Sequence, residues 1–303
     1  MPHTKKQKTH IPHTKRRIIL TAVAVLIALI VLWIYTNSTN WRNDVVRQED
    51  LPYCDTNDKL QTLDYYRPEH SGDQSLPLLV YVHGGGWRGG GKRNGMINNY
   101  GQIFIKHNIA VASLSYRLNS AHPYPDQNDD IACALTYLTT NAAKLHIDPS
   151  KILLMGESAG GELAAFAALH IPYKSYVYAT PVGVIDFYGV SDFTKIVDSK
   201  KPDLNARRFL GKNYTQNAAV ASPVSYVTAN APRFLLFHGE NDTVVPIDQS
   251  MSLYGLLTAH HVNATFIKIP NAAHAFVGPE LQPSSYKIIL DNIDTFLTNT
   301  VGR

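Results

Sequence analysis

Four groups of residues in this chain could do chemistry together. GESAG at 156–160 sets Ser158 between glycines, after the apolar run 151–155 and ahead of GELAAF at 161–166, a good helix. A strand-to-helix turn of this kind lifts a hydroxyl above a sheet, and the helix N-terminus adds a positive field where an oxyanion forms. HGGGW at 83–87 follows another apolar run. Its glycines let backbone N–H groups come close to a ligand. With the serine downstream, the N–H groups of Gly85, Gly86 and Ala159 are expected to bind an oxyanion. A phosphate loop fits less well, because Gly91-Lys92 leads to Arg93 rather than to a hydroxyl residue. His83 is expected to brace the loop. Trp87 is assigned to substrate binding, with a place at the core edge as its alternative.

A serine nucleophile needs a base, and the base needs an orienting acid. Asp242 follows the run 233–239, and His274 follows the run 264–270. Both then stand just past a strand's C-terminal end, where catalytic groups of parallel sheets gather. The expected chemistry is attack of Ser158 on an acyl carbonyl, with His274 as base and Asp242 as acid. Glu240 and Asp248 compete with Asp242, Asp192 reads as a loop carboxylate, and His238 reads as the end of its strand. No His/Cys/Asp cluster has metal-ligand spacing, so neither a metal nor a cofactor is expected.

These residues require a sheet to align them. The runs 78–83, 110–114, 151–156, 182–188, 233–239 and 264–270 are short and apolar, as strands buried on both faces are. Ile131, Leu135, Leu138, Ala142 and Leu145 keep helical spacing, as do Tyr286, Ile289, Leu290, Ile293, Phe296 and Leu297. Alternating β and α segments predict an α/β fold: a mostly parallel sheet with helices on both faces. Residues 189–225 lack a period and are expected to form a lid or a pocket wall.

Composition is that of a globular chain: 303 residues, 45% hydrophobic and 17% charged. The net charge of +4 comes from six basic side chains in residues 1–17, and without them 22 basic face 24 acidic residues. A nucleic-acid-binding face on the body is therefore not expected. Cys54 and Cys133 read as two free, buried thiols; a single bridge in an oxidising compartment is the other possibility. Residues 18–35 carry no charge and no proline, and as a helix would span about 27 Å, close to a bilayer core. Trp33, Tyr35 and Trp41 suit its far interface. The expectation is a basic cytoplasmic tail (1–17), an uncleaved transmembrane anchor (18–35), a polar linker (36–50) and a catalytic body (51–303) on the periplasmic or external side. A cleaved signal peptide is the alternative, although no Ala-x-Ala site follows. Nothing in the pattern specifies an oligomer.

With these motifs in order, the chain resembles the α/β-hydrolase superfamily over about residues 50–300. Within it, the chain looks like the esterases and lipases with an HGGG oxyanion loop, the hormone-sensitive-lipase-like and feruloyl-esterase-like carboxylesterases. LDYYRP at 63–68, HGGGW, Tyr116-Arg117-Leu118, GESAGG at 156–161, Ala221-Ser222-Pro223, HGENDTVVP at 238–246 and His274 carry the resemblance. It implies Ser158 as nucleophile, Asp242 as acid and His274 as base, acting on small or medium carboxylic esters. Glu157 stands where many hormone-sensitive-lipase-type relatives have Asp, which favours the feruloyl-esterase-like side. An arylformamidase or a peptidase is the alternative within the fold. A catalytically inactive, membrane-tethered binding protein is the alternative outside enzymes.

Overall fold

A computed structural model describes residues 45–197, 203–276 and 281–303. The basic tail and the apolar run 18–35 lie outside the described residues, among which no helix is long and apolar enough to cross a membrane.

Eight strands form one sheet: β1 (Val45–Pro52), β2 (Thr62–Pro68), β3 (Leu76–Val82), β4 (Ala110–Leu114), β5 (Ile147–Glu157), β6 (Gly183–Phe187), β7 (Arg233–Gly239) and β8 (Ala264–Ile269). Their order is β1-β2-β4-β3-β5-β6-β7-β8. The first two junctions are antiparallel and the rest parallel. Every residue of β3, β4 and β6 is buried, which accounts for their mostly apolar character, with Ser113 in β4 and Asp186 in β6 as the exceptions. Helices follow as α1 (Ile97–Lys106), α2 (Asp126–Thr140), α3 (Ala142–Leu145), α4 (Ala159–Leu169), α5 (Thr194–Val197), α6 (Leu204–Leu210), α7 (Tyr214–Ala221), α8 (Asp248–Ala259) and α9 (Pro283–Val301). Two neighbours, α2 and α3, break at Asn141 the single helix face expected from Ile131 to Leu145.

Two strands depart from the sequence reading. Residues 45–50, expected to be linker, belong to β1, which pairs with β2 from Val45↔Pro68 to Pro52↔Thr62. This edge strand is mostly exposed, so it needs no apolar run to hold its place. The other, β2, carries buried charge instead of apolar residues throughout. Asp64 is fully buried and takes the Arg93 guanidinium at 2.6 Å and the Lys92 ammonium at 3.3 Å. Such pairing satisfies a carboxylate that burial would otherwise penalise.

The thiol expectation is corrected. Cys54 and Cys133 form a disulfide with Cα atoms 5.9 Å apart. It ties the loop after β1 to α2 across 79 residues of sequence. A loop of that size gives a cross-link about 4 kcal/mol in the chain-entropy view. Replacing both cysteines by alanine is expected to lower the unfolding free energy by about that amount, measured by urea denaturation under non-reducing conditions.

Topology fixes where a site can form. From β3 the chain moves to one side into β4, then returns past β3 to β5. The crevice at this reversal lies beyond the C-terminal ends of β3 and β5. Val82 pairs with Gly156, so HGGGW and Ser158 leave the sheet side by side.

Candidate active site

The GESAG segment turns sharply where β5 meets α4. Ser158 holds φ 52° and ψ −119°, a conformation a side-chain-bearing residue rarely adopts, and its N–H donates to Phe187 O at 2.8 Å. The glycines around it are sterically required. A Cβ on Gly156 would lie 2.1 Å from Gly160 O, and one on Gly160 would lie 2.1 Å from Val82 O.

Three side chains distant in sequence meet above this turn. The Ser158 hydroxyl lies 3.1 Å from His274 Nε2. His274 Nδ1 lies 2.7 Å from Asp242 Oδ2. The other carboxylate oxygen of Asp242 accepts the N–H groups of Val244 at 2.8 Å and Val245 at 2.9 Å. With Asp242 accepting at Nδ1, the proton sits there and leaves the Nε2 lone pair facing the hydroxyl. Burial alone would raise the Asp242 carboxyl, but hydrogen bonds from His238, His274 and the Val245 N–H hold it well below the usual carboxylate range.

His238, read from sequence as a strand end, touches this acid. Its ring is fully buried, with Nε2 2.9 Å from Val245 O and 3.3 Å from Asp242 Oδ2. Both neighbours only accept, so Nε2 carries the proton. The spacing of four residues in HGEND was the available signal. Glu240 and Asp248 are exposed, and Asp192 is engaged by Thr194 and Lys195.

The loop 83–87 closes the other side. His83 stacks on Tyr116 at 4.2 Å, and burial depresses its pKa to about 4. That neutral, packed ring braces the loop. Among the described residues, the N–H groups of Gly85, Gly86 and Ala159 have no protein acceptor. Glu157 lies beneath the loop, accepting from Tyr81 Oη at 2.8 Å and Gly84 N–H at 3.4 Å, and burial raises its pKa. Trp87 is 2% exposed, stacks on Phe209 at 4.6 Å, and donates its indole N–H to Glu162. It can therefore offer a ligand only apolar wall.

A cavity of about 460 Å³ opens onto Ser158 and His274. Its lining includes Val190, Asp203 and Asn205, so described residues of the aperiodic segment do build part of a pocket wall. Tyr188 is another lining residue with no sequence signal; its ring packs edge-on to His274 at 4.6 Å. Among the described residues no cluster of His, Cys, Asp or Glu could hold a metal ion.

The strand order, the strained serine turn and the acid and histidine on successive loops define an α/β-hydrolase fold with a Ser-His-Asp constellation. The chain belongs to the BD-FAE family, whose model matches residues 63–257. Among curated relatives, the probable carboxylic ester hydrolase LipM of Mycobacterium tuberculosis is 29% identical over 69% of this chain and 52% of its own length. Esterase LipQ of the same organism is 30% identical over 78% of this chain and 58% of its own. The chain thus spans somewhat more than half the length of these relatives. A solved structure, a truncated carbohydrate esterase from gut microbiota, superposes with TM-score 0.71 at 24% identity, covering 82% of this chain and 95% of that one.

Proposed function

We propose that the protein is a serine carboxylic-ester hydrolase that works through an acyl-enzyme on small or medium esters. The observation that carries the reading is the continuous contact from Ser158 Oγ through His274 to Asp242, in a cavity that Gly85 and Gly86 also line. His274 Nε2 takes the Ser158 proton as Oγ bonds to the substrate carbonyl carbon. The carbonyl oxygen becomes an oxyanion and is met by the N–H groups of Gly85, Gly86 and Ala159. Asp242 fixes the imidazole tautomer and offsets the imidazolium charge. The tetrahedral adduct collapses, the C–O bond to the alcohol breaks, and His274 protonates the departing oxygen. Water then repeats the sequence on the acyl-Ser158 ester, giving the acid and free enzyme. The cavity volume suits a compact substrate, and Val190, Val244 and Val245 give it apolar wall.

The full chain should be profiled on p-nitrophenyl esters from acetyl to decanoyl, an N-formyl arylamine and a chromogenic peptide amide. The highest kcat/KM is expected on a short acyl ester; preference for the formamide or the peptide would overturn the assignment.

We also infer a body tethered by residues 18–35 and working outside the cytoplasm. The disulfide supports this, because such bridges persist in oxidising compartments, as does the basic run preceding the apolar segment. Membrane-fractionated native protein, alkylated without reduction, should show no modified Cys54 or Cys133; free thiols there would contradict the placement.

A further inference from the structure

Glu162 is a fully buried carboxyl that the mechanism above does not use. It lies in the first turn of α4, and its backbone N–H donates to Ser158 O at 3.1 Å. Its Oε2 accepts the indole N–H of Trp87 at 2.9 Å. Trp87 directly follows Gly86. One side-chain hydrogen bond therefore joins the loop that presents Gly85 and Gly86 to the helix that presents Ala159. The indole also packs on Phe209 at 4.6 Å and Phe193 at 5.6 Å, so the bond to Glu162 ties the loop to a ring that has few places to move.

A space-filling role would need no polar atoms, and this place has several. The Asn128 amide faces Glu162 from α2, and both side chains are buried. Burial pushes the Glu162 carboxyl well above the usual carboxylate range, opposed by hydrogen bonding from Trp87 and Asn128. A neutral acid accepts from Trp87 with one oxygen and can donate its own O–H with the other, without burying a charge. Oxyanion donors act only at a narrow distance from the developing charge, and Gly85 and Gly86 have no side chains of their own, so the flanking residues must hold them there.

We propose that Glu162 is a positioning residue: through the Trp87 N–H it sets the separation between the Gly85 and Gly86 donors and the Ala159 donor, and so the fit of the oxyanion. This rests on the acyl-enzyme reading. The test uses the full chain with Glu162→Gln, Glu162→Leu, Trp87→Phe and the Glu162→Leu/Trp87→Phe double variant, each checked for folding by circular dichroism and thermal melting. On a short aryl ester, Glu162→Leu should lower kcat by about 10- to 100-fold with KM within about twofold. Glu162→Gln keeps the acceptor and should stay within about threefold of the parent. Trp87→Phe should fall as Glu162→Leu does, and the double variant no further, because both remove the same bond.

Folded Glu162→Leu with the parent's kcat would overturn the proposal while leaving the hydrolase reading intact. So would a loss confined to KM, or a Gln variant as damaged as Leu. If Glu162→Leu does not fold, Trp87→Phe decides: an unchanged kcat overturns the proposal, and a kcat-specific loss supports it. A parent chain with no esterase activity removes the acyl-enzyme reading and this inference with it.

Discussion

Replacing Ser158 by alanine is expected to lower kcat on a short aryl ester by about 10⁶-fold while the protein stays folded. The Ser158 hydroxyl is the only one that meets the lone pair of His274, at 3.1 Å, among the described residues. Without it the imidazole has no attacking oxygen to activate, and the residual rate is what the oxyanion donors give to water. The backbone at this position is held by contacts that alanine keeps: the N–H to Phe187 O at 2.8 Å and the carbonyl that accepts from Glu162 N–H at 3.1 Å. Alanine meets the same positive φ that serine already tolerates. Melting temperature should therefore change little, and substrate binding, read by competitive protection, should persist.

Asp242→Asn is expected to cost about 10⁴-fold in kcat, more than the loss of one ordinary hydrogen bond. The carboxylate takes four donors: Val244 and Val245 N–H on one oxygen, His274 and His238 on the other. An asparagine has one carbonyl oxygen. If it serves the two turn N–H groups, its amide faces His274 Nδ1 as a donor. That nitrogen must then accept, the ring proton moves to Nε2, and Nε2 can no longer take the Ser158 proton. Steady-state kinetics with near-unchanged KM would separate this from a collapsed pocket. The same substitution has a pH signature. The folded Asp242 pKa lies below the unfolded value, so the ionised carboxylate contributes stability above about pH 4 and loses it as pH falls below that. The melting-temperature gap between parent and Asp242→Asn should be full near neutrality and narrow progressively in acid.

What the sequence discloses depends on how each element meets water. The central strands are legible because burial on both faces forces an apolar run; β3 is LPLLVYV, with every residue buried. The edge strand β1, VVRQEDLP, faces solvent and is held by pairing with β2, which leaves no periodic trace. The Ser158 turn, the Asp242 turn and the His274 loop are legible because each sits just after a strand, and the sheet then brings them together. The disulfide was not, because proximity of Cys54 to Cys133 is made by packing α2 against the loop after β1. Glu162 stands in plain view within GESAGGE, but the segment reads only as a good helix, with nothing in the sequence to mark this carboxyl as buried. All eleven residues of α4 are buried, and no periodicity can announce a helix enclosed on every side. His238 is legible only through its four-residue spacing from Asp242, and Tyr188 acquires its role only from the neighbours that the sheet gives it.

The most direct test is covalent labelling of the full chain with a fluorophosphonate at neutral pH, followed by peptide mapping. One adduct is expected, on Ser158, formed in step with loss of esterase activity, absent from Ser158→Ala and strongly slowed in Asp242→Asn. An inactivated enzyme labelled at another serine, or an active enzyme that takes no label at all, would contradict it.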